Sequence, residues 1–437
     1  MKFLLKKLVP SGLVSFYHYL WAVFAAARYG WPGRKMAVIG ITGTKGKTST
    51  ANFIWSCLNS AGLKTGLIGT ANIRIGNRES LNKYHMTMPG RLILQSLLAR
   101  MVASGCRYCV VETTSEGIKQ WRHKGIIYDI AVFTSLTPEH LQAHGSFEAY
   151  KKTKGRLFAS LAKSKHKTIG GQKIKKLIMA NSDSPHKNYF LSFKADKKIT
   201  FGLGTGADYM AEDIKADTSG VSFSVRGEMY RLGIMGIFNV YNALPAVVIG
   251  HEVGLSADTI RKGLADLKLI PGRMELIDQG QDFTVIVDYA HEKESMKALL
   301  ETAAAMKSPS AKVIVLLGAE GGGRDKAKRP IMGQLSAQMA DVVIVSNVDP
   351  YDDDPKQILE DIAVPAEKFG KIRSQNLFVI EDRRRGIIRA LELARPGDIV
   401  LITGKGAEQS MIIKERRLEW DDREVVREEL RRLISNS

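Results

Sequence analysis

The stretch Gly43-Thr44-Lys45-Gly46-Lys47-Thr48 has the clearest capacity for chemistry in this chain. It follows the apolar run MAVIGIT (36–42) and precedes a helical pattern, TSTANFIWSCLNSAG. A glycine-bearing loop between a strand and a helix presents backbone N–H groups at the positive end of the helix dipole, where they cradle phosphates. Lys47 is spaced to pair with β- and γ-phosphates and Thr48 to ligate Mg²⁺, with Ser49 beside them in the nucleotide-contacting stretch. The general P-loop pattern is met except at Ile41, which stands where that pattern has its first glycine. A Gly/Thr turn that binds nothing would share this composition, but not the strand before it and the helix after it. The three cysteines offer less. Cys106 and Cys109 form a C-x-x-C with no second pair to complete a zinc site, and with Cys57 they make an odd number. Small buried hydrophobes in a reducing compartment are the reading that follows.

These groups need elements to hold them. The chain has 437 residues, 44% hydrophobic and 25% charged, which allows two or three domains with a sizeable core. Apolar strands alternate with helical stretches, the pattern of an α/β fold. Strands are expected at 36–42, 106–112, 128–135 and 176–182, then a β-rich patch over 189–235 and a helix over 238–254. PGRMELID (271–278) reads as a linker into the strand FTVIVDYA, after which KVIVLLG, DVVIVSN, LFVIED and DIVLITG continue the alternation. Three parts are expected: an N-terminal segment 1–35, an ATP-binding domain 36–270 and a C-terminal α/β domain 271–437.

The net charge of +19 favours anionic partners such as nucleotides or phosphorylated substrates. Most lysines are interleaved with acids, and no RRM or KH signature accompanies the dense run from Lys151 to Lys176, so no nucleic-acid partner is expected. No charge lies between Lys7 and Arg28, but Pro10, Ser11 and Gly12 break that stretch and His18 interrupts it, leaving it short for a membrane span. Ala25-Ala26-Ala27 mimics a signal-peptide cleavage site, yet an ATP site follows directly, which argues against export. The expectation is a helix that packs on the body or lies at a membrane interface, with peripheral contact through residues 8–30. The protein is expected in the cytoplasm, at the inner face of the membrane, as a monomer.

ITGTKGKTST resembles the nucleotide loop of the Mur ligase family, T-G-T-x-G-K-[ST], and further motifs follow in the family's order to the C-terminus. The tripeptide-synthetase form is the nearest in pattern. The resemblance implies a P-loop central domain with a mostly parallel sheet and a Rossmann-like C-terminal domain. It implies ATP-dependent amide ligation through an acyl phosphate, adding an amino acid to a muramyl-peptide carboxylate. Glu112-Thr-Thr-Ser-Glu116 is similar to the element whose first Glu binds Mg²⁺, and a carboxylate at a strand's C-terminal end beside a P-loop suits that role. In AVFTSLTPEHLQAHGSFEAYKKTKGRLF, His140 matches a metal-binding His and Lys154 the lysine that is carbamylated; Ser135 and Glu139 replace the usual Asn and Asp.

By the same resemblance Asn239, Asn242, Arg273, Asp288 and His291 lie at the nucleotide. Thr87, Thr114, Gln120 and Arg122 would hold the donor, and Arg324, Gly404 and Glu408 the acceptor. Diaminopimelate-adding members carry D-N-P-R where this chain has Val348-Asp349-Pro350-Tyr351. An Arg grips a distal carboxylate with two hydrogen bonds, which Tyr351 cannot do; Asp349 and Asp352 favour a cation, pointing to lysine or another amine-bearing acceptor. Residues 1–35 are too few for the family's UDP-gripping N-terminal domain, so the donor is expected to lack UDP, to be held more weakly or to be presented at a membrane. A folylpolyglutamate synthase-like ligase and a non-catalytic ATP-binding scaffold are the competing readings.

Overall fold

A computed structural model describes residues 11–84, 86–138, 144–217, 219–323 and 325–435. The chain forms two compact units, one built on residues up to 268 and one on residues 269–437, with 216–220 and 234–238 belonging to the second.

The first unit carries an eleven-stranded sheet. Ala37–Thr42 lies at its centre, between Tyr108–Glu112 and Ile130–Phe133, and is parallel to both. Parallel pairing continues through Leu177–Asn181, Lys197–Gly202 and Tyr209–Asp217 on one side and Thr65–Ile68 on the other. All six residues of Ala37–Thr42 are buried, as a parallel strand with both faces covered requires. Antiparallel hairpins extend the two ends: Asn72–Ile75 with Arg78–Leu81, and Gly220–Val225 with Glu228–Leu232. The patch expected to be β from residue 189 opens as a helical turn, Lys187–Leu191. Phe190 is the reason: one turn of helix drops its ring onto Phe133, with centroids 3.9 Å apart, and onto Phe158.

At the N-terminal ends of these strands, Asp129 is fully buried and accepts from Lys167 Nζ, Lys176 Nζ at 2.9 Å and Val38 N at 2.9 Å. Burial pushes Lys167 down to about 8, with the Asp129 carboxylate opposing that shift. All three cysteines are buried, and burial raises their thiol pKa values, which fits the hydrophobe reading.

The helix Ser11–Arg28 seats on the first unit through Ala22, Ala25 and Ala26. Gly125 leaves room for it: a Cβ there would stand 2.6 Å from the Ala26 methyl. Its other face exposes Leu13, Phe16, Tyr17, Leu20, Trp21 and Phe24. Among the described residues no helix is long and apolar enough to cross a membrane.

The second unit is a six-stranded sheet in the order Glu275–Ile277, Thr284–Asp288, Ile399–Thr403, Val313–Leu317, Val342–Val345, Leu377–Val379. All pairs are parallel except the first. The segment read as a linker thus ends in a short edge strand. Ile277 joins the core, and buried Glu275 is paired by Arg423 at 3.4 Å and Arg427 at 2.7 Å, which holds the strand in place. The α/β expectation holds in both units.

Candidate active site

The loop after Ala37–Thr42 is pinned from the end of the neighbouring strand. Thr44 N donates to Ser135 O at 2.8 Å, Lys45 N to Ser135 Oγ at 3.0 Å, and Thr134 Oγ1 to Lys45 O at 2.6 Å. Ser135 therefore holds two loop amides, one through its carbonyl and one through its hydroxyl. Gly46 has φ +82°, and a Cβ on it would collide with Asn242 Oδ1. Asn242 Nδ2 in turn donates to Asn239 Oδ1 at 2.9 Å, so both asparagines sit behind the loop. Lys47 Nζ donates to Gly43 O and Thr44 O, each at 2.9 Å. The side chain of Lys154 is 1% exposed and its Nζ donates to Gly43 O at 2.8 Å, with the Tyr150 ring 4.4 Å away. Tyr150 also places its hydroxyl 3.3 Å from Thr44 Oγ1.

Glu112 ends its strand with no solvent exposure. Its Oε2 accepts from Thr48 Oγ1 at 3.1 Å and from Thr70 Oγ1 at 3.0 Å, and its Oε1 from Thr70 N at 2.8 Å. Thr70 was not legible in the sequence; nothing in a Gly-Thr at a strand end marks it. It also meets Thr87, hydroxyl to hydroxyl at 2.8 Å. Thr114 caps the helix Ser115–Lys119, accepting from Gly117 N at 3.1 Å. Arg122 donates to Gln120 Oε1 at 2.7 Å and to the Met88 carbonyl, while burial lowers its pKa. Of the expected donor residues, Thr87 is linked to the loop through Thr70 and Glu112, while Gln120 and Arg122 pair with each other next to Met88. Ser49 is buried in the first turn of Lys47–Ser60. His140 lies outside the described residues; His144, unremarked in the sequence, is 3.1 Å from Ser115 Oγ. Among the described residues no group of three or more His, Cys, Asp or Glu is arranged to hold a metal alone. A positive-φ glycine loop at a helix N-terminus, with a buried carboxylate on its threonine, fits a magnesium nucleotide that brings its own oxygens.

The remaining candidates gather in the second unit. Asp288 accepts from Met274 N and Ala290 N, each at 2.7 Å; burial raises its pKa and Arg273 opposes the rise. The Arg273 guanidinium lies over the Tyr289 ring at 4.3 Å, and His291 Nδ1 is 2.7 Å from Tyr289 O. Tyr289 Oη donates to Glu408 Oε1 at 3.2 Å. Lys405, which sequence reading passed over, joins the set: its Nζ donates to Glu408 Oε2 and Asp349 Oδ2, both at 3.0 Å. Burial alone would lower Lys405, but the two carboxylates hold its pKa above the ordinary value. The second oxygen of Asp349 accepts Ile412 N at 2.7 Å. The cation that Asp349 attracts is therefore the chain's own Lys405. Gly404 donates to Asp288 O at 3.2 Å, and Tyr351 pairs with Ile412 and Lys414 through its backbone. Arg324 lies outside the described residues.

Residues 41–250 match the Mur ligase middle domain, and residues 272–406 match the Mur ligase glutamate ligase domain. The chain belongs to the Mur ligase family. One relative is the UDP-N-acetylmuramoyl-L-alanyl-D-glutamate–2,6-diaminopimelate ligase of Geobacillus kaustophilus, 39% identical over 96% of this chain and 84% of that one. Another is the UDP-N-acetylmuramyl-tripeptide synthetase of a Roseiflexus species, 38% identical over 92% and 80%. A solved structure of a UDP-N-acetylmuramoyl-L-alanyl-D-glutamate–2,6-diaminopimelate ligase aligns with 92% of this chain and 79% of its own, at 29% identity and a TM-score of 0.60. Mur ligases are ATP- and magnesium-dependent acid–amino-acid ligases of peptidoglycan precursor synthesis, and this Mur ligase is an enzyme of that type.

Proposed function

We propose that this chain joins an amino acid to the carboxylate of a muramyl-peptide donor, with residues 36–270 binding ATP and donor and residues 271–437 binding the acceptor. The observation that carries this reading is the buried contact of Thr48 with Glu112 at 3.1 Å, set behind the glycine loop and one hydroxyl away from Thr87. ATP supplies the phosphoryl group that converts the donor carboxylate to an acyl phosphate, and Mg²⁺ offsets the charge in transfer. Lys47 exchanges its two carbonyl partners for phosphate oxygens. Thr48, Glu112, His140 and a carbamylated Lys154 hold the metal, the carbamate turning a cation into an anionic ligand. Asn239 and Asn242 back the nucleotide loop, and Arg273, Asp288 and His291 contact the nucleotide from the C-terminal domain. Thr87, Thr114, Gln120 and Arg122 orient the donor. Arg324, Tyr351, Gly404 and Glu408 form the acceptor site, with Asp349 contributing through its hold on Lys405. With Tyr351 in place of an Arg, the acceptor is lysine or another amine-bearing amino acid rather than diaminopimelate, unlike the relative from Geobacillus by its name.

The test is phosphate release from ATP with UDP-MurNAc-L-Ala-D-Glu, scanning single amino acids and recording product masses. Release that requires both donor and acceptor, with a mass gain of one amino acid, is the expected result. A preparation that binds ATP but releases no phosphate with any acceptor sinks this donor.

We also propose a monomer held at the cytoplasmic face of the membrane. The exposed face of Ser11–Arg28 is apolar and aromatic, and exposed Arg28, Arg34 and Lys35 follow it, a combination suited to an anionic bilayer surface. Co-sedimentation with phosphatidylglycerol vesicles and not with phosphatidylcholine vesicles, lost in Phe16→Ser/Leu20→Ser, is expected; equal recovery from both lipids removes the proposal.

A further inference from the structure

A fully buried carboxylate needs partners for both oxygens. Glu112 meets that need largely through one residue. Thr70 gives its backbone N–H to Oε1 at 2.8 Å and its hydroxyl to Oε2 at 3.0 Å. Gly69 makes this possible, because a Cβ there would fall on Oε1; the carboxylate packs directly against the Gly69-Thr70 segment. A threonine hydroxyl has one proton and two acceptor lone pairs. Glu112, an acceptor when ionised, accepts the hydrogen bond of the Thr70 hydroxyl. The contact of Thr70 Oγ1 with Thr87 Oγ1 at 2.8 Å is then donated by Thr87. Protons therefore point Thr87 → Thr70 → Glu112, and Thr48 points to the same carboxylate oxygen.

We infer that Thr70 is a positioning residue that couples the donor position at Thr87 to the metal carboxylate Glu112. The inference rests on the roles proposed above for those two residues. Hydrogen bonds in a chain polarise one another. A cation on Glu112 weakens the carboxylate as an acceptor, which weakens the Thr70 bond to it. Thr70 then holds the Thr87 proton less tightly, and Thr87 is freer to donate to a donor's carboxylate or amide oxygen. Metal thus favours the donor, and by reciprocity of binding the donor favours metal by the same factor.

The test compares wild type, Thr70→Val and Thr70→Ser by calorimetry. Val keeps the branched shape and the amide N–H but removes the hydroxyl; Ser keeps the hydroxyl. The probes are UDP-MurNAc-L-Ala-D-Glu and a non-hydrolysable ATP analogue, each with and without Mg²⁺. Wild type is expected to bind the muramyl dipeptide about fivefold more tightly when Mg²⁺ accompanies the nucleotide. That ratio collapses to about one in Thr70→Val and returns in Thr70→Ser. Retention of the ratio in Thr70→Val, or no recovery in Thr70→Ser, overturns the inference. A wild type that binds the nucleotide but no muramyl dipeptide defeats the donor assignment instead. The Mg²⁺ needed for half-saturation by the nucleotide then decides: about a tenfold rise in Thr70→Val supports Thr70 as the holder of Glu112, and an unchanged value refutes it. Melting curves of the three proteins separate these effects from misfolding.

Discussion

Lys154 Nζ lies 2.8 Å from the Gly43 carbonyl, on a side chain sealed from solvent. A lysine from the helix Phe147–Lys163 thus reaches the same loop oxygen that Lys47 uses. If Lys154 carries a carbamate in the working enzyme, bicarbonate labelled with ¹³C gives a carbamate resonance that is absent in Lys154→Arg. That variant keeps the positive charge, retains nucleotide binding and loses about a hundredfold or more in kcat. An unlabelled lysine with full activity excludes the modification.

Glu112→Gln keeps the size of the side chain and removes its charge. The Mg²⁺ concentration for half-maximal turnover is expected to rise at least about tenfold, while binding of nucleotide without metal changes little. Titration of phosphate release against Mg²⁺ measures this, and an unshifted midpoint removes Glu112 from the metal site.

Gly46→Ala places a methyl where Asn242 Oδ1 sits, at a backbone φ of +82°. Left-handed strain costs about 1–2 kcal/mol for a residue with a Cβ, and displacement of Asn242 adds to it. A lower melting temperature and weaker nucleotide binding are expected together. Loss of neither contradicts the packing of loop against asparagine.

Lys167 titrates in the fold at about 8, below its ordinary 10.5, because burial disfavours its charge. Below pH 8 both folded and unfolded states hold the proton, and the cost of the buried charge is constant. Between pH 8 and about 10.5 the unfolded chain binds more protons, so stability contributed by this group rises with pH. Lys167→Met is expected to flatten that rise in melting temperature between pH 8 and 10. Asp129→Asn removes the carboxylate that Lys167 and Lys176 share, so Lys167 is expected to lose its proton at a still lower pH and the protein to lose about 3–5 kcal/mol of stability at pH 7.

Tyr351→Arg places a fork at the proposed acceptor position. The KM for acceptors with a distal carboxylate is expected to fall relative to that for lysine, by about tenfold. Unchanged selectivity in a competition assay with mass detection shows that residue 351 does not read the acceptor's far end.

The sequence made plain the parts whose partners are near in the chain. The strand–loop–helix around Gly43–Thr48 and the alternation after residue 284 depend on local pattern, and both units bear that pattern out. Thr70 did not declare itself, because Glu112 lies 42 residues away and a Thr at a strand end has no distinctive spacing. Lys405 was hidden for the same reason: Asp349 is 56 residues from it, and only the parallel sheet brings their loops to one end, across the strand Val313–Leu317 that separates theirs. The acidic run at 349–354 looked open to an external cation, and burial of Asp349 against Lys405 answers that charge from within. The edge strand Glu275–Ile277 is too short for a two-residue period to stand out.

The leading helix has a mechanical relation to chemistry that its alanine face alone would not suggest. Trp121 donates its indole N–H to Ser15 Oγ at 2.7 Å and meets the Tyr19 ring edge-on. Trp121 sits in the chain between Gln120 and Arg122, two of the residues proposed above to orient the donor. The seating of the leading helix and the placement of those two side chains therefore share a single indole.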